Sequence, residues 1–159
     1  MRLKNTLIFL IFALSALGLV HGPALLEKPR PTLAIQTPTA AVIFEIDIAD
    51  DATEQVNGLM HRLHIPENYG MLFVWSDDDI RTMWMKNTPS PLDMLFIDKN
   101  GIIRYIVRNT PPLSEALISS GRPARAVLEL AGGSTTQHNI QVGDRVIHPL
   151  FQAPSKTKP

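Results

Sequence analysis

The block Thr82-Met83-Trp84-Met85-Lys86-Asn87-Thr88-Pro89-Ser90-Pro91-Leu92-Asp93 brings an aromatic face, an ammonium, an amide, a hydroxyl and a carboxylate close together along the chain. On a strand ending near Lys86, alternation puts Trp84 and Lys86 on one face. Pro89 and Pro91 then force an irregular crossing that gathers Lys86, Asn87 and Thr88. Asp93 opens an apolar strand with Leu95 and Ile97 on its own side and Leu92, Met94 and Phe96 opposite. A carboxylate there must find a cation or several donors, because a buried unpaired charge is strongly destabilising or changes its protonation. Lys86 and Arg62 are the expected partners. Together Arg62, Trp84, Lys86, Asn87, Thr88 and Asp93 compose a pocket for a small polar or anionic ligand, with Trp84 as stacking face and the cations as charge. The competing reading is a polar network that only pins the loop.

Other sets carry less. Met60, Met71, Met83, Met85 and Met94, with His61 and His64, have the donor types of a copper site. Methionine is more often a flexible filler of cores, and that is the reading adopted. His61-x-x-His64 lacks the glutamate of a metalloprotease helix and runs into Pro66, so neither a metal nor another cofactor is expected. Asp93 and Asp98 fall on opposite faces of one strand, against a glycosidase pair. Glu45 and Asp47 read as a solvated strand face, and Asp77-Asp78-Asp79 as a solvated turn. Glu129, amid Val127, Leu128 and Leu130, is an isolated acid that one face of an edge strand would also explain. There is no G-x-S-x-G elbow and no phosphate-cradling glycine loop.

The elements that must position these residues are short and β-like. Ala41–Ile48 alternates Val42, Phe44, Ile46 and Ile48 against Ile43, Glu45 and Asp47. Gly70–Trp75, Ile80–Met85, Leu92–Ile97, Ile102–Val107, Ala124–Leu130 and Val142–Ile147 also read as strands. Asp98-Lys99-Asn100-Gly101 joins two of them as a hairpin, its Asn-Gly supplying positive φ. Asp50 can cap a helix to about Asn57 that stops at Gly58, and Ser134 with Gln137 has the spacing of a capping box. The expected fold is mainly β: a single sandwich- or barrel-like domain of six to seven short strands with one or two short helices, α+β being the alternative.

The N-terminus has the pattern of a secretory signal. Arg2 and Lys4 precede an apolar run from Thr6 to Val20, shorter than a membrane span, and the small residues Gly22 and Ala24 suit cleavage. Residues 1–24 are read as a signal peptide, 25–38 as a proline-rich linker, 39–151 as the domain and 152–159 as a disordered tail. An exported, periplasmic or extracellular protein is expected, with an N-terminal membrane anchor if the signal is retained. The 159 residues carry 15 Lys+Arg and 15 Asp+Glu, and losing Arg2 and Lys4 gives a charge of −2. No basic face large enough to hold a nucleic-acid backbone follows from that balance. With no cysteine, disulfides, thiolate metal sites and Cys nucleophiles are excluded.

The blocks Gly58-Leu59-Met60-His61-Arg62, Gly70-Met71-Leu72-Phe73-Val74, Trp84-Met85-Lys86-Asn87-Thr88, Pro91-Leu92-Asp93 and Phe96-Ile97-Asp98 form a specific ordered series. With Val127-Leu128-Glu129-Leu130 and Val142-Gly143-Asp144-Arg145-Val146, the series resembles the domain of unknown function 192 family over about residues 42–147. The resemblance implies a small, mainly β fold, commonly exported or tethered in prokaryotes, and no particular activity. The function expected from the residues is a non-enzymatic envelope module binding a small polar or carbohydrate-like ligand. The alternatives are an acid–base enzyme working through Asp93 or Glu129, and a structural module whose sheet edges pair with another protein.

Overall fold

The computed structural model describes residues 29–151. The signal peptide and the C-terminal tail read from the sequence lie outside the described residues. The described residues form seven strands: β1 Thr32–Gln36, β2 Ala41–Ala49, β3 Tyr69–Met83, β4 Leu92–Ile97, β5 Ile103–Thr110, β6 Ile118–Ala131 and β7 Arg145–Ile147. Two short helices join them, α1 Ala52–Asn57 and α2 Ser134–Gln137. The strands form one sheet in the order β5-β4-β6-β3-β2-β1-β7. Only β2 and β3 run parallel, and α1 belongs to the crossover between them. Near the two outer strands, Ile102 bridges to Arg145, Ile103 N donates to Asp144 O at 3.0 Å and Val146 N to Gly101 O at 2.7 Å. Those bonds draw the ends of the sheet together, and it curls into a half-barrel.

The curl separates two cores, one on each face of the sheet. Leu33, Ile35, Phe44, Ile46, Leu72, Leu95, Leu128 and Val146 pack together with other buried residues drawn from every strand, as a half-barrel interior requires. The opposite face carries Met71, Phe73, Met94, Phe96 and Val127, covered by Leu59, Ile65, Met83, Met85 and Leu92. Alternation alone assigns each residue to its face. Leu72 and Leu128 go inward while their neighbours Phe73 and Val127 go outward.

Among the described residues, the mainly β class, the strand number and the two short helices agree with the sequence reading. Several details differ. Thr32–Gln36, read as part of the proline-rich linker, is a strand between β2 and β7, because Leu33 and Ile35 complete the inner core between Pro31 and Pro38. Gly70–Trp75 and Ile80–Met83 are one long strand, since β3 and β6 continue as a paired ribbon through register shifts at Val74/Asp79 and Ile80/Thr82, and the strand ends at Met83, before Trp84 and Lys86. Arg81 pairs with Asp77 and Arg125 with Asp78 there, offsetting the acidic run that looked like a turn. The β4–β5 turn is kept, but only Gly101 has positive φ (77°); Asp98 Oδ1 accepts from Asn100 N and Ile102 N instead. Asp51 rather than Asp50 caps α1, accepting from Glu54 N at 2.8 Å.

Candidate functional site

Glu129 lies on β6, a central strand flanked by β3 and β4 and not an edge strand as the sequence allowed. It is opposed by Met71 on one side and Met94 on the other, so its side chain stands on the outer face of the sheet. It is 4% exposed, and its carboxyl makes no hydrogen bond or ion pair with any described residue. Fully occluded polar side-chain atoms without a partner are absent among the described residues, so the Glu129 oxygens keep contact with open space. That space is a cavity of about 20 Å³ lined by Glu129, Asn57, Gly58, Met60, Phe73, Trp84 and Thr88 among others. Burial without a compensating charge or donor pushes the Glu129 carboxyl up to about 8.

Gly58 keeps this space open. It stops α1 at φ 46°, a conformation that L side chains rarely adopt, and a Cβ there would sit 2.9 Å from Phe73 Cζ and 4.0 Å from Glu129 Oε2. The helix is held against the sheet by Gln55, whose Nε2 donates to Val74 O at 2.8 Å. The Trp84–Thr88 loop closes the other side. His61 N donates to Asn87 O at 2.8 Å, Asn87 Nδ2 to Met60 Sδ at 3.9 Å and Leu113 N to Thr88 O at 3.0 Å. Trp84 is 37% exposed at the rim, and Lys86 Nζ rests 5.1 Å from its ring centroid.

Arg62 is engaged elsewhere. Its guanidinium donates to Asp47 Oδ2 at 3.1 Å and to Tyr69 Oη at 2.6 Å, while Tyr69 donates to the same Asp47 oxygen at 2.5 Å. Arg30 lies 5.5 Å and Arg62 5.3 Å from the Tyr69 ring centroid. Burial opposes ionisation of Asp47, but the Tyr69 and Arg62 bonds outweigh it and hold its carboxyl below the ordinary value. Burial, followed by the bond to Asp47, pushes the Tyr69 hydroxyl up to about 12.

Asp93 is fully buried on the inner side of β4. Its carboxylate accepts from Asn109 N at 2.8 Å, Gly133 N at 3.1 Å, Thr135 N at 2.9 Å and Thr135 Oγ1 at 2.6 Å. It therefore ties β5 and the start of α2 to β4. Lys86 and Arg62, the cations expected to meet it, do neither; backbone donors fulfil the requirement instead. Since Asp93 opposes Leu130 and Glu129 opposes Met94, the two carboxyls leave the sheet on opposite faces.

Residues 34–148 match the model of the DUF192 family, described as an uncharacterized ACR. The chain belongs to the DUF192 family. A DUF192 match beginning at residue 34 takes in part of β1, beyond the span over which the sequence motifs were read. A solved structure from Sinorhizobium meliloti 1021, described as a "putative transcription regulator", is 38% identical, with a TM-score of 0.72 over 73% of this chain and 91% of its own. A protein of unknown function from Novosphingobium aromaticivorans DSM 12444 is 31% identical, with a TM-score of 0.72 over 74% of this chain and 84% of its own. A comparison with curated proteins finds no match.

In this DUF192 domain the six residues read as one pocket divide three ways. Trp84 and Thr88 line the cavity, with Lys86 and Asn87 fastened to its rim. Arg62 belongs to the Asp47–Tyr69 cluster, and Asp93 to the opposite face. Met71, Met83, Met85 and Met94 are packed in the outer core. Among the described residues no three His, Cys, Asp or Glu side chains converge. The floor of the cavity, Glu129, carried a weak sequence signal: an acid in an otherwise apolar strand, whose neighbours on both sides only the sheet reveals.

Proposed function

We propose that this DUF192 chain is an exported, non-enzymatic domain that binds a small polar or carbohydrate-like ligand at the Trp84–Glu129 cavity. The observation that supports this most is the unpartnered Glu129 carboxyl at the floor of a cavity with the exposed Trp84 at its rim. A buried polar group without a partner is destabilising, and a fold keeps one where a ligand supplies the missing bond. Trp84 offers an apolar edge for the ligand body, and Lys86, already against its ring, carries the rim charge. Asp93 has its donors within the fold, which leaves Glu129 as the acid–base group of any enzymatic variant of this reading. The description of the S. meliloti protein suggests a nucleic-acid role, but the formal charge balance of 15 against 15 gives no support for it here.

A thermal-shift screen of the purified protein against sugars, muropeptides, nucleotides and carboxylates tests the proposal. A ligand is expected to raise the melting temperature of the wild type and to do so much less for Trp84→Ala. If no compound shifts the wild type, or the active ones shift Trp84→Ala equally, the site is elsewhere or absent. The leader reading is tested separately, by N-terminal sequencing of protein recovered from the periplasm: a start at Leu25 is expected, and recovery only from the cytoplasm refutes export.

A further inference from the structure

We propose that Glu129 acts in binding as a neutral acid, donating its proton to one uncharged oxygen of the ligand, so that the ligand end entering the cavity is a hydroxyl or amide carbonyl and not a cation or an anion. This rests on the binding role proposed above and specifies its chemistry. The cavity of about 20 Å³ sets the size. A water needs roughly 10–15 Å³ measured in this way, so one oxygen-sized group fits and a carboxylate or phosphate does not.

The charge follows from what faces Glu129. From α1 and the turn after it come Gln55, Asn57, Gly58 and Met60, none ionisable; Glu54 on the same helix accepts from Asp50 N in solvent. From β3 come Met71 and Phe73, and from β4 Met94. Farther along this face of β3, Arg81 sits 4.6 Å from the Trp75 ring and is paired with Asp77. In line with Glu129 across β3, Asp47 is neutralised by Arg62 and Arg30. Lys86 approaches from the loop but is seated on Trp84. No described residue supplies a charge partner at the carboxyl itself, and burial holds it protonated to about pH 8. A cationic ligand would have to be desolvated and displace the Glu129 proton to pair with it, beside Lys86 at the rim, which disfavours ammonium groups.

Three sugars of one frame and different charge separate the cases: N-acetylglucosamine, glucosamine and glucuronate, titrated at pH 6 and pH 9 alongside ¹³C NMR of the Glu129 carboxyl. Glu129 is expected to titrate far above ordinary glutamates. N-acetylglucosamine is expected to bind best at pH 6 and roughly tenfold more weakly at pH 9, because only the neutral fraction is competent. Glu129→Gln, a permanent neutral donor, should bind N-acetylglucosamine with no such pH dependence, and Glu129→Ala should lose it. A Glu129 titration near the ordinary value, equal binding at the two pH values, a preference for glucosamine or glucuronate at pH 6, or no binding by any of the three overturns the assignment. A ligand from the wider screen that depends on Trp84 would still stand in each case, so failure here is distinguishable from failure of the binding role.

Discussion

Asp93 and Glu129 are near neighbours on adjacent strands, both buried carboxyls amid apolar strand residues, and the fold treats them oppositely. Asp93 turns to the inner face, where Asn109, Gly133 and Thr135 bring four donors to it. Glu129 turns to the outer face, where no described donor bonds its carboxyl: Gln55 gives its amide to Val74 O and Thr88 its hydroxyl to Lys86 O. A strand shows only that an acid is present; whether it is a structural anion or a neutral acid depends on what the other elements bring to its side. Backbone N–H groups fixed by a turn solvate a carboxylate well, whereas Phe73 and Met94 cannot solvate one at all.

The largest effect that this contrast predicts is at Asp93. Asp93→Ala strands three backbone donors and unfastens β5 from α2, so urea unfolding should show a loss of about 4 kcal/mol, or no folded protein. A loss under about 1 kcal/mol would put Asp93 in the same class as a surface acid and dissolve the comparison.

Glu129 should respond in the opposite sense. Its carboxyl is raised in the folded protein, so the unfolded chain ionises from about 4.5 while the folded one keeps its proton to about 8. The folded state binds more protons across that window, and stability falls as pH rises through it, then levels off. Glu129→Gln removes this term. The variant should match the wild type below pH 4.5 and exceed it above pH 8 by roughly 3 kcal/mol, less than the full linkage value because water entering the site relaxes it. Parallel stability–pH curves for the two proteins would show instead that Glu129 finds a partner.

Gly58→Ala tests the shape of the unpartnered side. Strain at positive φ and the approach to Phe73 should cost about 2 kcal/mol and abolish any ligand-induced thermal shift. A variant as stable and as responsive as the wild type contradicts the geometry.

Asp47 is the intermediate case, on the same face as Glu129 but with a third of its side chain exposed and with partners. Its carboxyl is lowered, so its contribution is present above the ordinary carboxylate range and lost as pH falls through its folded value. Tyr69→Phe removes one donor to Asp47 and should move the acid-unfolding midpoint slightly upward, with less than about 1 kcal/mol lost at pH 7, since solvent screens the pair. An unchanged midpoint would remove Tyr69 as a contributor.

How much of this was legible follows from where each signal lies along the chain. Leu92–Ile97 was read to the residue, because Pro91 and the Asp98–Gly101 turn bound an apolar run long enough for a strand. The facing of Asp93 with Leu95 and Ile97 was also readable, being simple alternation. The grouping of Trp84, Lys86, Asn87 and Thr88 was legible through proximity and the prolines. By contrast, β1 is five residues between prolines and has meaning only once β2 and β7 lie on either side of it. The acidic run in β3 resembled a turn because the arginines that neutralise part of it are close only after the ribbon pairs.

Strand alternation, the turn at Gly101, the stop at Gly58 and the recognisable series of motifs are written in the chain itself, since these depend on neighbours within a few residues. The partners came from the folded sheet. It gave Asp93 to Gly133 and Thr135 and Arg62 to Asp47, and it left Glu129 facing a cavity. Those outcomes depend on strand order and on which loop covers which face, and pairing across a curled sheet joins residues that no local pattern relates.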